Sequence, residues 1–243
     1  MMNIDRQKTV AQIVTQNIKA SHIFKKYNID FCCGGGVSLD QICQKNEIEY
    51  DVLVNEIRNY TTNQDIQHDY DAWPLDILIE HIIDVHHNYV EENIPLLLQY
   101  AEKVAKVHGH YYHEVVEIYQ LIQMAAKDIS AHMMKEEVVL FPFIKKLILA
   151  EKEHLDVEVP HFNTVINPIH MMEDEHETVG NIFKEIARLS NNYSPPEEAC
   201  NTFKALYDKL DEFEQDLHTH IHIENNILHP KATSLEKRIR VNG

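Results

Sequence analysis

Glycine is scarce in this sequence, which has 6 glycines among 243 residues. An average soluble protein has about 7% glycine. A chain with so few turn-forming residues cannot make many β-hairpins, which argues against an all-β sandwich or barrel. Three of the glycines are consecutive, at Gly34, Gly35 and Gly36, which leaves three for the rest of the chain. The scarcity favours long helices and an all-α fold.

Basic residues are few relative to acidic ones, and long apolar runs are absent from the sequence. The 22 Lys and Arg residues stand against 39 Asp and Glu residues, for a formal net charge of −17. This acidic excess argues against binding to nucleic acid, because phosphate contacts need a basic face. The longest apolar stretches, such as Ile77 to Ile83, are broken by residues such as Glu80 and His81. We therefore expect no membrane span and no membrane partner.

The sequence also lacks the signals of a secreted protein. Its first ten residues have no apolar run of the kind found in signal peptides. Its four cysteines, two of them adjacent at Cys32 and Cys33, do not form the disulfide framework of a small secreted domain. We expect a cytoplasmic protein whose thiols stay reduced.

The chain divides into two segments. Residues 1–62 predict a small helical domain, in which the Cys-Cys-Gly-Gly loop that begins at Cys32 interrupts the helical spacing. Ser38 follows the loop and is typical of the N-cap of a short helix. A segment of this length buries little core by itself. The polar stretch from Thr61 to Asp65 begins a linker.

The second segment, residues 74–235, contains four long amphipathic patterns. Such patterns with fairly short connections predict an antiparallel up-and-down four-helix bundle. We expect irregularities near Pro95 in the first helix and near Pro142 in the second. The four helices are predicted at about 74–107, 111–150, 165–190 and 196–233.

Histidine is abundant, with 17 residues against 22 Lys and Arg. Each predicted bundle helix carries one histidine on its apolar face, and two of these have a glutamate four residues later. Residues four apart lie side by side on a helix, so each His-x-x-x-Glu pair offers a nitrogen and a carboxylate to one point in the core. The inward set is His87, His132, Glu136, His176, His220 and Glu224.

The spacing of the four histidines supports one common level in the bundle. Successive intervals are 45, 44 and 44 residues, and residues equidistant from a connecting loop face each other in antiparallel helices. The last pair fits less well, because its midpoint at residue 198 falls inside the predicted fourth helix. His86 borders the same face of the first helix and is the alternative to His87.

Four imidazoles and two carboxylates at one level predict a metal site. A single histidine on an apolar face is more often a hydrogen-bonded core residue, but a core does not bury six such groups without compensation. Nitrogen and carboxylate ligands suit iron or manganese, with zinc as a further candidate. Six ligands are too many for one tetrahedral zinc, so we expect two metals with the carboxylates bridging. The ferritin-like pattern, Glu173-x-x-His176, occurs convincingly on one helix only.

This inward set resembles that of hemerythrin-like domains. Three further segments are similar to one subgroup, the iron–sulfur cluster repair di-iron proteins, also called RIC (repair of iron centres). The resemblance covers essentially the whole chain, with a short N-terminal domain followed by the hemerythrin-like bundle. The segments that carry it are FKKYNIDFCCGGG from Phe24 to Gly36, SAHMMKEEVVLFPFI from Ser130 to Ile144, and HIHIENNILHP from His220 to Pro230.

The resemblance implies a di-iron protein that restores iron–sulfur clusters damaged by oxidative or nitrosative stress, by supplying iron. It implies two non-haem iron ions per chain, joined by an oxo or hydroxo bridge. Its partners would be damaged iron–sulfur proteins, with nitric oxide or oxygen as small ligands. Whether the protein forms a homodimer stays open. The implied terminal ligands are His87, His132, His176 and His220, and the implied bridging ligands are Glu136 and Glu224.

The double-cysteine loop is the second place where we expect function. Thiolates at Cys32 and Cys33 are soft ligands that accept iron or a nitrosyl group, and a tight turn with inert cysteines is the alternative. Whether the protein is an enzyme also stays open. A nitric oxide or peroxide reductase, an oxygen or nitric oxide sensor or carrier, and a ferritin-like oxidase are the competing functions.

Overall fold

The structure, a computed structural model, describes residues 4–62 and 69–242. The described chain is helical, apart from its turns and loops and one isolated bridge between Thr9 and Ser38. The predicted all-α class is therefore confirmed. No helix in the described part combines the length and apolarity that crossing a bilayer requires. Of the predicted linker, Thr61 and Thr62 belong to a helix, and Asn63 to Asp65 lie outside the described residues.

Four short helices form the N-terminal unit. Side-chain caps begin two of them: Thr9 caps the first with Gln12 in a reciprocal capping box, and Ser38 caps the third with Gln41 in the same way. The predicted N-cap at Ser38 is thus confirmed. The helices are α1 (Val10–Gln16), α2 (Ala20–Lys26), α3 (Leu39–Lys45) and α4 (Tyr50–Thr62).

Four long helices form the bundle, and three of them contain a π-helical segment. The third helix is α9 (Ile166–Leu189). The first consists of α5 (Leu75–His81), a π segment (Ile82–His87) and α6 (Asn88–His108). The second consists of α7 (Glu114–Lys135), a π segment (Glu136–Leu140) and α8 (Phe141–Glu153). The fourth consists of α10 (Asn201–Ile223), a π segment (Glu224–Leu228) and α11 (His229–Asn242).

The fourth bundle helix begins later than predicted. It starts at Asn201, not at residue 196, because the chain from 190 to 200 forms a connection that contains Pro195 and Pro196. Three residues of this connection have a positive φ, which no helix tolerates. Residue 198, the midpoint between His176 and His220, therefore lies within the connection, so this pair of histidines fits the spacing as well as the other pairs do. The three residues are Asn191, Asn192 and Tyr193.

The irregularity of the first bundle helix is not at Pro95, which lies inside regular α6. In the second and fourth helices the π segments end two residues before Pro142 and Pro230. The amides of Phe141 and His229 donate five residues back, to the carbonyls of Glu136 and Glu224. The next residue is a proline, which has no backbone N–H to donate. The helix therefore returns to α-helical hydrogen bonding at a position where one hydrogen bond cannot form. In these two helices a proline thus follows the π segment at the same distance, whereas the π segment of the first helix has no such proline.

The core of the bundle is divided into two apolar clusters. One cluster contains Val90, Met133 and Ile221, and extends towards the connection between the first two bundle helices. The other contains Leu140 and Ile223, and extends the opposite way. The polar level that the sequence predicts lies between them. Apolar packing thus encloses this level from both ends of the bundle.

The N-terminal unit shares the first of these clusters. Phe24 and Leu53 of that unit are fully buried in the same cluster as Phe213 of the fourth bundle helix. Helix α1 contacts α10 and the π segment that follows it. The unit therefore completes its core against the bundle, as expected for a segment too short to bury one alone.

The cap at Ser38 provides a test of this local structure. Replacing Ser38 by Ala removes the acceptor for the Gln41 amide, so we expect the free energy of unfolding to fall by about 1 kcal/mol. Urea denaturation followed by circular dichroism measures this loss. Ser38→Thr keeps the hydroxyl and should retain most of the stability. An equal loss in both variants would contradict the capping assignment.

Candidate metal centre

The structure brings all six inward residues together between the two apolar clusters. Glu136 and Glu224 are completely buried, and the four histidines are at most 5% exposed. Their ligand atoms form two groups, and within each group these atoms lie within 4.8 Å of one another. One group is His87, His220, Glu136 and Glu224; the other is His132, His176, Glu136 and Glu224. Both carboxylates thus belong to both groups.

Each glutamate contacts one histidine from each group. Glu136 Oε2 lies 3.3 Å from both His87 Nε2 and His132 Nε2. Each oxygen of Glu224 faces a different histidine: Oε1 lies 3.0 Å from His220 Nε2, and Oε2 lies 3.1 Å from His176 Nε2. A carboxylate that faces imidazoles on both sides has the arrangement needed to bridge two cations.

Hydrogen bonding alone does not satisfy these carboxylates. Within the described protein, both oxygens of Glu136 and Oε2 of Glu224 are buried without a hydrogen-bond partner, as is Nε2 of His87. Leaving buried charged oxygens unpaired costs several kcal/mol. Two metal ions would satisfy these atoms, and a site of nitrogen and carboxylate donors suits iron or manganese. The residues therefore fit a dinuclear metal centre.

The ionisation of the site follows from its buried charges. Burial opposes a charge on His132, but Glu136 and Glu224 outweigh it and raise the pKa of His132 to about 9. Burial and Glu224 oppose ionisation of Glu136, yet the facing histidines still lower the pKa of Glu136. Burial likewise opposes ionisation of Glu224, but His220 and His176 hold the pKa of Glu224 well below its ordinary value. A metal ion must displace protons from such histidines, so metal binding releases protons.

Three of the four histidines are oriented through their other ring nitrogen. His87 Nδ1 lies 2.7 Å from Glu137 Oε1, and His132 Nδ1 lies 3.0 Å from Glu175 Oε2. The third, His176, has its Nδ1 2.8 Å from an Asn225 oxygen. Metal-binding histidines typically donate their second N–H to such acceptors, which fixes the tautomer and points Nε2 at the metal.

His86 and Glu173 lie outside both groups. His86 Nδ1 pairs with Asp216 at 2.9 Å, and the imidazole stacks against His220 with ring centroids 5.4 Å apart. Glu173, from the ferritin-like pattern, lies 3.8 Å from His229 Nδ1. The structure thus places His87, and not His86, among the six.

The double-cysteine loop folds around Asp30. Asp30 Oδ1 accepts the amides of Cys32, Cys33 and Gly34 at 3.0–3.2 Å, and its Oδ2 accepts Lys184 Nζ at 2.9 Å. Burial opposes this charge, but Lys184 and the loop amides lower the pKa of Asp30 to about 2. The carboxylate therefore stays ionised and organises the loop at neutral pH.

The two thiols of the loop differ in environment. Cys32 is buried and Cys33 is exposed, with their sulfur atoms 3.7 Å apart. The neighbouring Cys33 and burial both raise the pKa of Cys32 well above its ordinary value, so this thiol is protonated at neutral pH. Gly35 allows the tight turn, because a Cβ there would lie 2.3 Å from the carbonyl oxygen of Phe31.

The loop packs on the fourth bundle helix directly after Glu224. The Cys32 carbonyl accepts hydrogen bonds from Asn225 Nδ2 at 3.4 Å and Asn226 Nδ2 at 3.2 Å. A polar cavity of about 490 Å³ lies beside it. The cavity is lined by the loop, by Lys184 and His218, by these asparagines and by the acidic residues Glu173, Asp174 and Glu177. The thiols and the candidate metal centre are thus neighbours.

Comparison with known proteins agrees with this arrangement. Residues 6–60 match ScdA_N, described as a domain of unknown function (DUF542), and residues 78–232 match the hemerythrin HHE cation binding domain. The chain is 34% identical over 231 residues to proteins named iron-sulfur cluster repair protein YtfE from Escherichia coli O81 and Shigella boydii serotype 4. Each comparison covers 95% of this chain and 99% of the relative.

The chain belongs to the iron–sulfur cluster repair protein family. Residues 78–232 of its bundle match the hemerythrin HHE cation binding domain, and both His/Glu groups lie within these residues. The family resemblance inferred from the sequence is thus confirmed.

The orienting residues of this family member were not predicted from the sequence. Two of them directly follow a candidate bridging glutamate, and one directly precedes His176. An internal repeat was available as a signal, because His132, Glu136 and Pro142 recur 88 residues later as His220, Glu224 and Pro230. The same shift relates Glu137 to Asn225. His222, which belongs to neither ligand group, is fully buried against the N-terminal unit, with Nε2 3.3 Å from Thr15 Oγ1.

Glu137 provides a test of the orienting role. Its side chain is 39% exposed, so Glu137→Ala leaves no cavity in the core. Loss of the acceptor for His87 Nδ1 should weaken metal binding by about 10- to 100-fold, as for other residues that orient a ligand. A competition titration with a chromophoric chelator measures the affinity.

The control is Glu137→Gln, whose amide oxygen can still accept the His87 N–H. This variant should retain most of the affinity. Glu137→Ala with unchanged affinity would show that Glu137 does not orient His87 for a metal.

Proposed function

We propose that this protein holds two iron ions between its four bundle helices and repairs iron–sulfur clusters damaged by oxidative or nitrosative stress by supplying iron. The observation that carries the proposal is the pair of overlapping ligand groups that share Glu136 and Glu224. The family adds support, because its named members are iron-sulfur cluster repair proteins and the chain spans nearly their full length.

In this proposal the two segments of the chain have different roles. Residues 1–62 form the domain that presents the thiols, and residues 74–235 form the hemerythrin-like bundle that holds the metals. His87 and His220 would bind one iron, and His132 and His176 the other. Cys32 and Cys33, 3.7 Å apart, would receive or pass on iron as soft ligands, and the iron would displace the proton that Cys32 holds at neutral pH. We place this chemistry in the cytoplasm, where paired thiols stay reduced.

The ligand set favours iron that can be released. Each ion would have two imidazoles and a share of two carboxylates, and non-haem iron sites with few protein ligands keep open positions. When bound, the iron pair would supply the metal that a damaged cluster lacks. The bridge expected between the ions stays a prediction, and an optical spectrum of the metal-loaded protein tests it.

The protein's own residues would prepare the site in three ways. The four bundle helices, three of them through their π segments, hold the four histidines and two glutamates at one level, and the flanking apolar clusters exclude water. Glu137, Glu175 and Asn225 hold the Nδ1 proton of their histidines, so Nε2 is the ring atom that each histidine would offer to metal. Damaged iron–sulfur proteins are the proposed substrates, and the cavity beside Cys33 is the proposed place of contact.

Shared carboxylates make a specific prediction about stoichiometry. Wild-type protein should bind two iron ions per chain, and Glu136→Leu combined with Glu224→Leu should bind none. His87→Ala should lower the binding affinity for one of the two ions, because His87 belongs to one ligand group only. Metal analysis and anaerobic ferrous titration measure both results.

Folding is checked in the same samples by circular dichroism. Leu fills the volume of a buried Glu without a charge, so the helices should be retained. Retention of two iron ions per chain in the double Glu variant would contradict the site assignment.

Repair itself is tested with a substrate. A purified iron–sulfur dehydratase is inactivated with nitric oxide, and iron-loaded protein is added anaerobically with reductant. We expect dehydratase activity to return faster than with the same amount of free ferrous iron, and the double Glu variant to give no such gain. Recovery no better than with free iron would overturn the repair function.

A further inference from the structure

Asn225 touches both the candidate metal centre and the double-cysteine loop. Its Oδ1 accepts the Nδ1 proton of His176 at 2.8 Å, and its Nδ2 donates to the Cys32 carbonyl at 3.4 Å. The side chain is partly buried between the two segments of the chain. One planar amide therefore contacts an inward histidine with one end and the loop with the other.

The equivalent position in the other half of the bundle holds a different group. Glu137 corresponds to Asn225 in the 88-residue repeat, and it accepts the Nδ1 proton of His87 at 2.7 Å. A carboxylate would serve His176 as well as an amide does, and would bind a charged imidazole more strongly. An ionised carboxylate has no proton to donate, so it could not also reach the Cys32 carbonyl. The amide is needed only where the loop lies.

We propose that Asn225 is a positioning residue that couples the double-cysteine loop to the metal centre. The proposal rests on the proposed function, because it takes His176 to be a metal ligand. A metal on His176 Nε2 fixes the ring, and the ring fixes the amide plane through Nδ1. The amide then holds the Cys32 carbonyl, whose peptide unit leads directly to Cys33. Coupling of this kind acts in both directions, so the state of the loop also acts on the metal.

Asn226 supplies a matched comparison. Its Nδ2 donates to the same Cys32 carbonyl at 3.2 Å, but its other contact is His222 Nδ1 at 3.1 Å. His222 belongs to neither ligand group. Asn226 therefore anchors the loop without touching the metal centre, whereas Asn225 does both.

The test measures the rate at which iodoacetamide modifies Cys33, the exposed thiol of the loop. Peptide mass spectrometry follows Cys33 alone, in metal-free protein and in protein loaded anaerobically with ferrous iron. In the wild type, loading should slow modification by at least about fivefold, the lower end of typical coupling between sites. Asn225→Asp keeps the acceptor for His176 and removes the donor to the loop, so it should load iron and show equal rates in both states.

Asn226→Ala loosens the loop without breaking the link. Its Cys33 should react faster than wild type in both states and should still respond to iron. If Asn225→Asp keeps the wild-type response, or if wild type shows none, the coupling is wrong. Iron bound directly by the thiols would protect Cys33 in Asn225→Asp as well, so this outcome also overturns the proposal. Failure of the wild type to bind iron would instead refute the proposed function.

Discussion

Two carboxylates buried in the middle of a helical bundle are the constraint on which this structure depends. Glu136 and Glu224 are completely inaccessible to solvent, and several of their oxygens have no hydrogen-bond partner among the described residues. Such charges are tolerated only beside compensating cations. Four imidazoles surround them, and three of these imidazoles are held by a further acceptor. The site is thus a continuous polar layer between two apolar clusters, and every bundle helix contributes to it.

The backbone of the bundle adapts to this layer. Three of its four helices leave α-helical hydrogen bonding at this level, through the π segments that contain His87, Glu136 and Glu224. Single π turns within α-helices are frequent at functional sites, because the extra residue re-aims the side chains around it. In two helices a proline follows the segment at the same distance from the glutamate. The same combination of glutamate, π segment and proline therefore occurs twice, 88 residues apart.

The N-terminal unit is fastened to the bundle beside this layer. It shares an apolar cluster with the bundle, and its cysteine loop lies on the turn of the fourth helix that follows Glu224. Asp30 gathers the amides of the loop and pairs with Lys184 of the third bundle helix. Two segments that match different family models thus form one arrangement, in which exposed thiol, acidic cavity and buried His/Glu layer are neighbours.

Much of this arrangement could be predicted from the sequence, since it depends on periodicity. Glycine scarcity and amphipathic spacing predict the helices. Their apolar faces indicate His132, His176 and His220 with the two glutamates, whereas His86 stayed the alternative to His87 until the structure placed His87 in the site. Proline indicated the irregularity near Pro142, which the structure confirms as a π segment. Periodicity does not resolve hydrogen-bond register, so the π segments of the first and fourth helices were not predicted, and the start of the fourth helix was misplaced by five residues. The contact between the two segments could not be predicted from spacing either: His222 lies on the helix face opposite the metal layer, and the N-terminal unit buries it.

The sequence by itself determined which residues point inward, because side-chain direction repeats every 3.6 residues in a helix. It also indicated the family, because the double-cysteine loop and the two His-x-x-x-Glu segments occur in one chain. Only the tertiary structure decided which carboxylate faces which histidines, which residues orient the rings, and where the cysteine loop lies. These contacts join residues as far apart as Cys32 and Asn225, and their distances depend on how separate helices pack against one another.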